Sequence, residues 1–241
     1  MTSLYRWQRE ALQVWVETPD EEKRMTTAAV TGAGKTWFAL EVIRHEMERA
    51  MADDSTIYIT VIVPRKALMT QWRTVFNNHF ATQDHVIGRK GGGGIKGWSP
   101  KPVSHNPVNI NIITINAQRE GKMQINHNRH LVIVDECHNL RGEKNRNAMN
   151  PEYIGEEQTM VLGLSATPHP TPSARKVVEE LCGPIRYSYR YAEALADGVI
   201  PPFVLNAVSI PMTDEEKKEL DDWDGKVKWA LKKADAAWGA E

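Results

Sequence analysis

At 241 residues, with 41% hydrophobic and 25% charged content, the chain can bury one sizeable core, or one core with an appendage, and is short for two full domains. With 30 Lys and Arg against 31 Asp and Glu, its formal net charge of −1 excludes a globally basic nucleic-acid binder, so any such contact must come from a local patch. Cys137 and Cys182 are too few for a disulfide framework and lack metal-ligand spacing, no apolar stretch reaches transmembrane length, and the amino terminus has no secretory pattern. The expectation is a cytoplasmic protein with no membrane partner.

The chain opens on a helical pattern in which Leu4, Trp7, Ala11, Leu12 and Trp15 share one face, ending near Pro19. Strands are then predicted at 25–30, 56–63, 109–115, 131–134 and 160–164, and helices at 36–51, 65–80 and 174–182. Such alternation means βαβ units, hence an α/β fold with a mostly parallel sheet and helices on both faces. Ligands of these sheets bind beyond the carboxyl ends of the strands.

The turn after the first strand, Thr31-Gly32-Ala33-Gly34-Lys35-Thr36, has the form G-x-x-x-x-G-K-[ST], with Ala29 where the first glycine usually stands. Small residues let successive N–H groups curl around phosphate oxygens, and the next helix adds its positive end. In this reading Lys35 reaches the β- and γ-phosphates of ATP, and the Thr36 hydroxyl ligates magnesium. A plain flexible turn would account for the glycines alone, but not for a Lys-Thr pair between a strand and a helix.

Between residues 88 and 107 the periodicity dissolves into Gly91-Gly92-Gly93-Gly94, Pro100, Pro102 and Pro107. One reading is a loop with a short strand through Val86-Ile87; another uses Arg89, Lys90, Lys96 and Trp98 as contacts to nucleic acid, and the residues leave both open. The apolar run Leu131-Val132-Ile133-Val134 then delivers Asp135-Glu136-Cys137-His138 to a strand end. Ordinary cores avoid adjacent carboxylates there, whereas metal-nucleotide chemistry needs them: Asp135 holds the magnesium through water, and Glu136 orients and deprotonates the attacking water. Leu164-Ser165-Ala166-Thr167-Pro168 closes a further strand with two hydroxyl residues. Beyond Pro211, Thr213-Asp214-Glu215-Glu216 forms a capping box for a helix bearing Leu220, Trp223, Val227 and Leu231. Its apolar face, with Trp229 and Trp238, needs the first core or a surface outside this chain.

A phosphate loop, an acidic strand end and Ser-Ala-Thr-Pro, in that order, resemble the first RecA-like motor domain of superfamily 2 helicases and translocases, over nearly the whole chain. Leu4-Tyr5-Arg6-Trp7-Gln8 and Pro64-Arg65-Lys66-Ala67-Leu68-Met69-Thr70-Gln71-Trp72 are similar to segments of the DEAD/DEAH-like branch with XPB-type DNA helicases and restriction-enzyme motor subunits. Residues 183–202, with Gly183-Pro184, Tyr187 and Tyr189, resemble the segment that leads such motors out of their first domain.

The resemblance implies a RecA-like P-loop domain over 1–205, with 206–241 as a linker and helix toward a second motor domain. It implies that Gln8 reads adenine, that Pro64, Arg65 and Lys66 touch the nucleic-acid backbone, and that Ser165 and Thr167 couple nucleotide state to nucleic acid through His138. Thr114 and Asn116 fall at another strand-end contact, where the family usually has glutamine in place of Asn116. The implied cofactors are ATP and Mg, and the implied partners are DNA, double-stranded favoured, and a second RecA-like domain in the same protein or a separate subunit. In the family that second domain supplies arginine fingers from a Q-x-x-G-R-x-x-R segment, which these 241 residues lack. An arginine finger contributes roughly 10³–10⁵ in rate, so this chain alone is expected to bind ATP better than it hydrolyses it, and to bind DNA weakly. The alternatives are an ATP-gated adaptor without motor activity and a small P-loop kinase or ATPase.

Overall fold

The computed structural model describes residues 4–80, 85–90, 95–96, 108–121, 129–155, 159–167, 171–203 and 209–238. Trp98, Pro168 and the side chains of Leu231 and Trp238 lie outside the described residues. The chain forms two compact units, Met1–Pro201 and Pro202–Glu241.

In the first unit the strands are β1 (Arg24–Ala29), β2 (Ile57–Val63), β3 (His85–Lys90), β4 (Ile95–Lys96), β5 (Val108–Thr114), β6 (His130–Asp135), β7 (Thr159–Ser165) and β8 (Ile185–Tyr189). They lie in the order β4-β3-β5-β2-β6-β7-β1-β8, parallel throughout except for the antiparallel β3–β4 pair. The helices are α1 (Arg6–Glu17), α2 (Lys35–Ala52), α3 (Lys66–His79), the short α4 (Ile115–Gln118), α5 (Glu143–Arg146) and α6 (Pro151–Ile154), then α7 (Pro172–Cys182) and α8 (Tyr191–Ala196).

Strand alternation divides the interior in two. Ile57, Ile59, Val61 and Val63 of β2 face a core shared with Trp7, Trp15, Phe38, Leu40, Trp72 and Phe76 from α1, α2 and α3. Tyr58 and Ile62 face the other core, with Ala117, Leu140, Met149, Ile154 and Val178. All seven residues of β2 are buried, which its unbroken apolar run requires of a central parallel strand. This is the expected α/β architecture, and it gathers the carboxyl ends of β1, β2, β5, β6 and β7 on one edge.

Two segments differ from the sequence reading. Residues 185–189, read as chain leaving the domain, form β8, an edge strand parallel to β1, with Thr26 N–H donating to Pro184 O at 2.8 Å and Val30 N–H to Tyr189 O at 3.1 Å. Trp7 stacks on Tyr189 at 5.3 Å between ring centroids, so β8 is also the dock for α1. Second, the strand expected at Val86-Ile87 extends over His85–Lys90, and Arg89 and Lys96 are cross-strand partners rather than loop residues.

In the second unit, α9 (Asp214–Trp238) begins with the expected capping box: Thr213 Oγ1 accepts from Glu216 N–H at 3.2 Å while Glu216 Oε2 accepts from Thr213 N–H at 2.8 Å. Leu220, Trp223, Val227 and Trp229 are exposed. Among the described residues no helix is long and apolar enough to cross a membrane.

Candidate active site

The loop between β1 and α2 is shaped by Gly32 and Gly34, which take φ of +83° and +89°, where side-chain-bearing residues are strained. Its carbonyls are held from below: Trp7 Nε1 donates to Ala33 O at 3.1 Å, and Gln8 Nε2 to Gly34 O at 2.9 Å. Gln8 is buried, and its Oε1 accepts from Tyr5 N–H at 2.9 Å. A carboxamide has two donor hydrogens and two acceptor lone pairs, so one of each remains. Lys35 Nζ donates to Ala29 O at 3.1 Å, and among the described residues no carboxylate lies within ion-pair distance of it. Thr36 follows on the first turn of α2, half-buried.

Two strands away, β6 ends at Asp135, which is 8% exposed. Burial pushes its carboxyl above the usual range; a bond from Trp72 Nε1 to Oδ2 at 2.8 Å opposes this, Glu136 adds to the rise, and Lys35 and the Glu136 amide pull it down. Glu136 takes φ 52° and ψ 52°, a left-handed conformation rare outside glycine and asparagine that costs of order 1–3 kcal/mol. The backbone turns there from β6 into the 3-10 turn Cys137–Arg141, and Asn139 Nδ2 donates back to Glu136 O at 2.9 Å.

His138 links this turn to β7. Its Nδ1 lies 2.8 Å from Ser165 Oγ and 3.3 Å from Glu136 Oε2, and Ser165 Oγ accepts from Thr167 N–H at 3.1 Å. Glu136, His138, Ser165 and Thr167 are thus one continuous chain of polar contacts. Cys137 and Cys182 are both free and buried; the neighbouring Cys182 thiol, then burial, pushes the Cys137 thiol well up, leaving it an inert packing group.

The structure therefore brings Gln8, Thr31, Gly32, Ala33, Gly34, Lys35, Thr36, Asp135, Glu136, His138, Ser165 and Thr167 to one edge of the sheet. Pro64, Arg65 and Lys66 sit at the end of β2 on the same edge, with both cations exposed and Arg65 as the N-cap of α3. At the end of β5, Thr114 is buried and Asn116 exposed, while Gln118 is fully buried with neither side-chain polar atom hydrogen-bonded among the described residues. Sequence reasoning missed Trp72 and Trp7, whose place in apolar helical stripes reads as core. The usable signal was chemical, because a buried indole N–H seeks an acceptor.

The residues present fit a magnesium nucleotide. A loop of small residues, an ammonium without an ionic partner among the described residues and two hard oxygen donors, Thr36 and Asp135, have the chemistry that phosphate and metal require. Among the described residues no cluster of three or more His, Cys, Asp or Glu could hold a metal by itself, and magnesium usually takes its remaining ligands from water and phosphate.

The pattern of the family described as type III restriction enzyme, res subunit, matches residues 1–170. The chain belongs to this family. Among relatives of the family member, the DNA 3'-5' translocase XPB2 of Sulfurisphaera tokodaii is 28% identical over 222 residues, covering 92% of this chain and 44% of that protein. The chain thus spans less than half of that relative's length. Among solved structures, the UvsW helicase from bacteriophage T4 superposes with a TM-score of 0.57 at 19% identity, over 77% of this chain and 60% of that one. The Hef helicase domain of Pyrococcus furiosus gives a TM-score of 0.56 at 19% identity, over 78% and 39%. The fold is that of the first RecA-like motor domain of superfamily 2 helicases, an ATP-dependent enzyme class.

Proposed function

We propose that this chain is the ATP-binding first motor domain of a DNA translocase or helicase, and that it hydrolyses ATP at Asp135-Glu136-Cys137-His138 once a second RecA-like domain completes the site. One observation carries the reading. At one sheet edge, Lys35 has no ionic partner among the described residues, while Asp135 is buried at a cost its neighbours only partly offset. Both costs are relieved by a magnesium-bound triphosphate.

In this reading the amides of residues 32–36 and Lys35 bind the phosphates, Lys35 exchanging the Ala29 carbonyl for phosphate oxygen. Thr36 and Asp135 hold magnesium, which when bound neutralises phosphate charge. Trp72 fixes the Asp135 carboxylate through Oδ2. Glu136 takes the proton of the attacking water, and its strained backbone sets the carboxylate over the turn. His138, bonded to Ser165 and close to Glu136, passes the state of this carboxylate to β7, where Thr167 reports it to the strand edge. The remaining donor and acceptor of Gln8 match the N6 and N7 edge of adenine.

Residues 1–205 serve as the motor domain, and 206–241 lead toward the second one. Arg65, Lys66, Pro64, Thr114 and Asn116 line the edge used for nucleic acid, and DNA is favoured because the relative at 28% identity is a DNA translocase. The test is ATP turnover by the chain alone, with double-stranded DNA, and with DNA plus a polypeptide carrying the second RecA-like domain. Turnover should rise steeply only in the complete mixture, roughly 10³-fold or more if an arginine finger is supplied. Glu136→Gln should remove that turnover while ATP still binds. Equal turnover in all three mixtures, or in the variant, would refute the reading.

A further inference from the structure

Trp37 is a large aromatic side chain left 42% exposed on the first turn of α2, next to Thr36. A single exposed apolar residue is ordinarily unremarked, but this one is braced. The His79 ring meets it nearly edge-on, with centroids 5.3 Å apart and planes at 73°. His79 is itself fixed, Nε2 lying 3.6 Å from Glu41 Oε1 and the ring meeting Phe80 edge-on at 4.8 Å. An indole in water gains nothing from being held in one orientation, whereas a planar ligand gains from a platform ordered beforehand.

The position of the ring narrows the ligand. A Cβ placed on Gly34 would lie 2.9 Å from Gln8 Nε2 and 4.0 Å from Trp37 Cδ1, so the carboxamide and the indole border the same point at the root of the phosphate loop. Hydrogen-bonding edge groups beside an exposed π-face are the two things a heterocyclic base requires, one to read its edge and one to stack on its plane.

We propose that Trp37 is the stacking platform for the base of the bound nucleotide, with Gln8 reading the base edge and His79 positioning the indole. The proposal rests on the nucleotide reading of the phosphate loop, and the experiment separates the two. Binding of Mg-ATP and of magnesium tripolyphosphate, which has the phosphates but no base, is measured by titration calorimetry for wild type, Trp37→Ala, Trp37→Phe and Lys35→Ala. Trp37→Ala should weaken ATP roughly 5- to 100-fold, the range expected for losing one base–aromatic stack, and leave tripolyphosphate unchanged. Trp37→Phe should recover most of the ATP affinity, and Lys35→Ala should lose both ligands. Wild-type ATP affinity in Trp37→Ala, or an equal loss of ATP and tripolyphosphate, would overturn the stacking role while leaving the phosphate site standing. A wild type that binds neither ligand, or a Lys35→Ala that binds both undiminished, would remove the nucleotide reading and this proposal with it.

Discussion

Two polar clusters lie at opposite edges of the same sheet, and the protein treats them in opposite ways. At the amino edge, Lys23 and Glu46 are almost fully buried, yet each is matched: Glu46 Oε1 accepts from Lys23 Nζ at 2.8 Å and Trp15 Nε1 at 2.9 Å, and Arg49 reaches Oε2 at 3.1 Å and Asp20 at 2.7 Å. At the carboxyl edge, Lys35 holds only a backbone carbonyl among the described residues, Asp135 is buried, and Glu136 is in a left-handed conformation. Burial acts on both carboxylates and the outcome differs. It would push Glu46 up, but the bonds from Lys23 and Trp15 and the charges of Lys23 and Arg49 outweigh it and hold the carboxyl below its usual range. At Asp135 burial wins. A cluster closed on itself holds α1, α2 and β1 together; in the proposed reading, the cluster left open gives up stability to keep groups ready for a ligand.

The contrast breaks most visibly at Glu46. Glu46→Ala takes from the buried Lys23 its nearest partner and leaves it Asp20 Oδ1 at 2.9 Å, and should cost about 3 kcal/mol, the low end for a broken buried pair, read from the denaturant midpoint. A loss below about 1 kcal/mol would place this cluster with ordinary surface pairs instead.

Asp135 should respond with the opposite sign. Its folded pKa lies above the unfolded one, so the folded state binds the extra proton. The contribution of Asp135 to stability is therefore fully present at pH below the unfolded value and is lost as pH rises through the raised folded pKa. Asp135→Asn removes that loss, and should raise the Tm of the nucleotide-free protein at neutral pH while weakening Mg-ATP. Asp20, held well below its usual range first by the Arg49 guanidinium, and Glu46 contribute stability above the ordinary carboxylate range that disappears as pH falls. A Tm of Asp135→Asn equal to or below wild type at neutral pH would mean that Asp135 is as well matched as Glu46.

The smallest effect is expected at Ser165. Ser165→Ala removes a half-buried hydrogen bond to His138 and the acceptor of Thr167 N–H, about 1 kcal/mol, and should leave ATP affinity intact while reducing the stimulation of turnover by DNA in the completed motor. Unchanged stimulation would take the Glu136–His138–Ser165 chain out of the coupling.

What could be read from the sequence follows the same division. The placement of the glycine-rich turn and of the acidic strand end was legible because glycine, lysine and carboxylate at fixed spacing carry their geometry with them: once β1 and β6 are parallel, Lys35 and Asp135 must emerge on one edge. Buried strands announced themselves through unbroken apolar runs such as β2. β8 did not, since the first four of its five residues alternate half-buried and exposed positions, with Tyr189 alone buried, and the strand follows Gly183-Pro184, which reads as a turn. The part of Trp72 was also hidden, because one residue served both the apolar stripe of α3 and the carboxylate of a distant strand. The left-handed Glu136 is a product of tertiary constraint, and no residue pattern announces it.

The open cluster is read most directly by titrating Mg-ATP into wild type and Lys35→Ala, with folding checked by their Tm. The expected result is saturable binding in wild type and loss of that binding in a variant that remains folded. Undiminished ATP affinity in Lys35→Ala would contradict a phosphate site at this edge, and with it the assignment of Asp135 and Glu136 to its metal and its water.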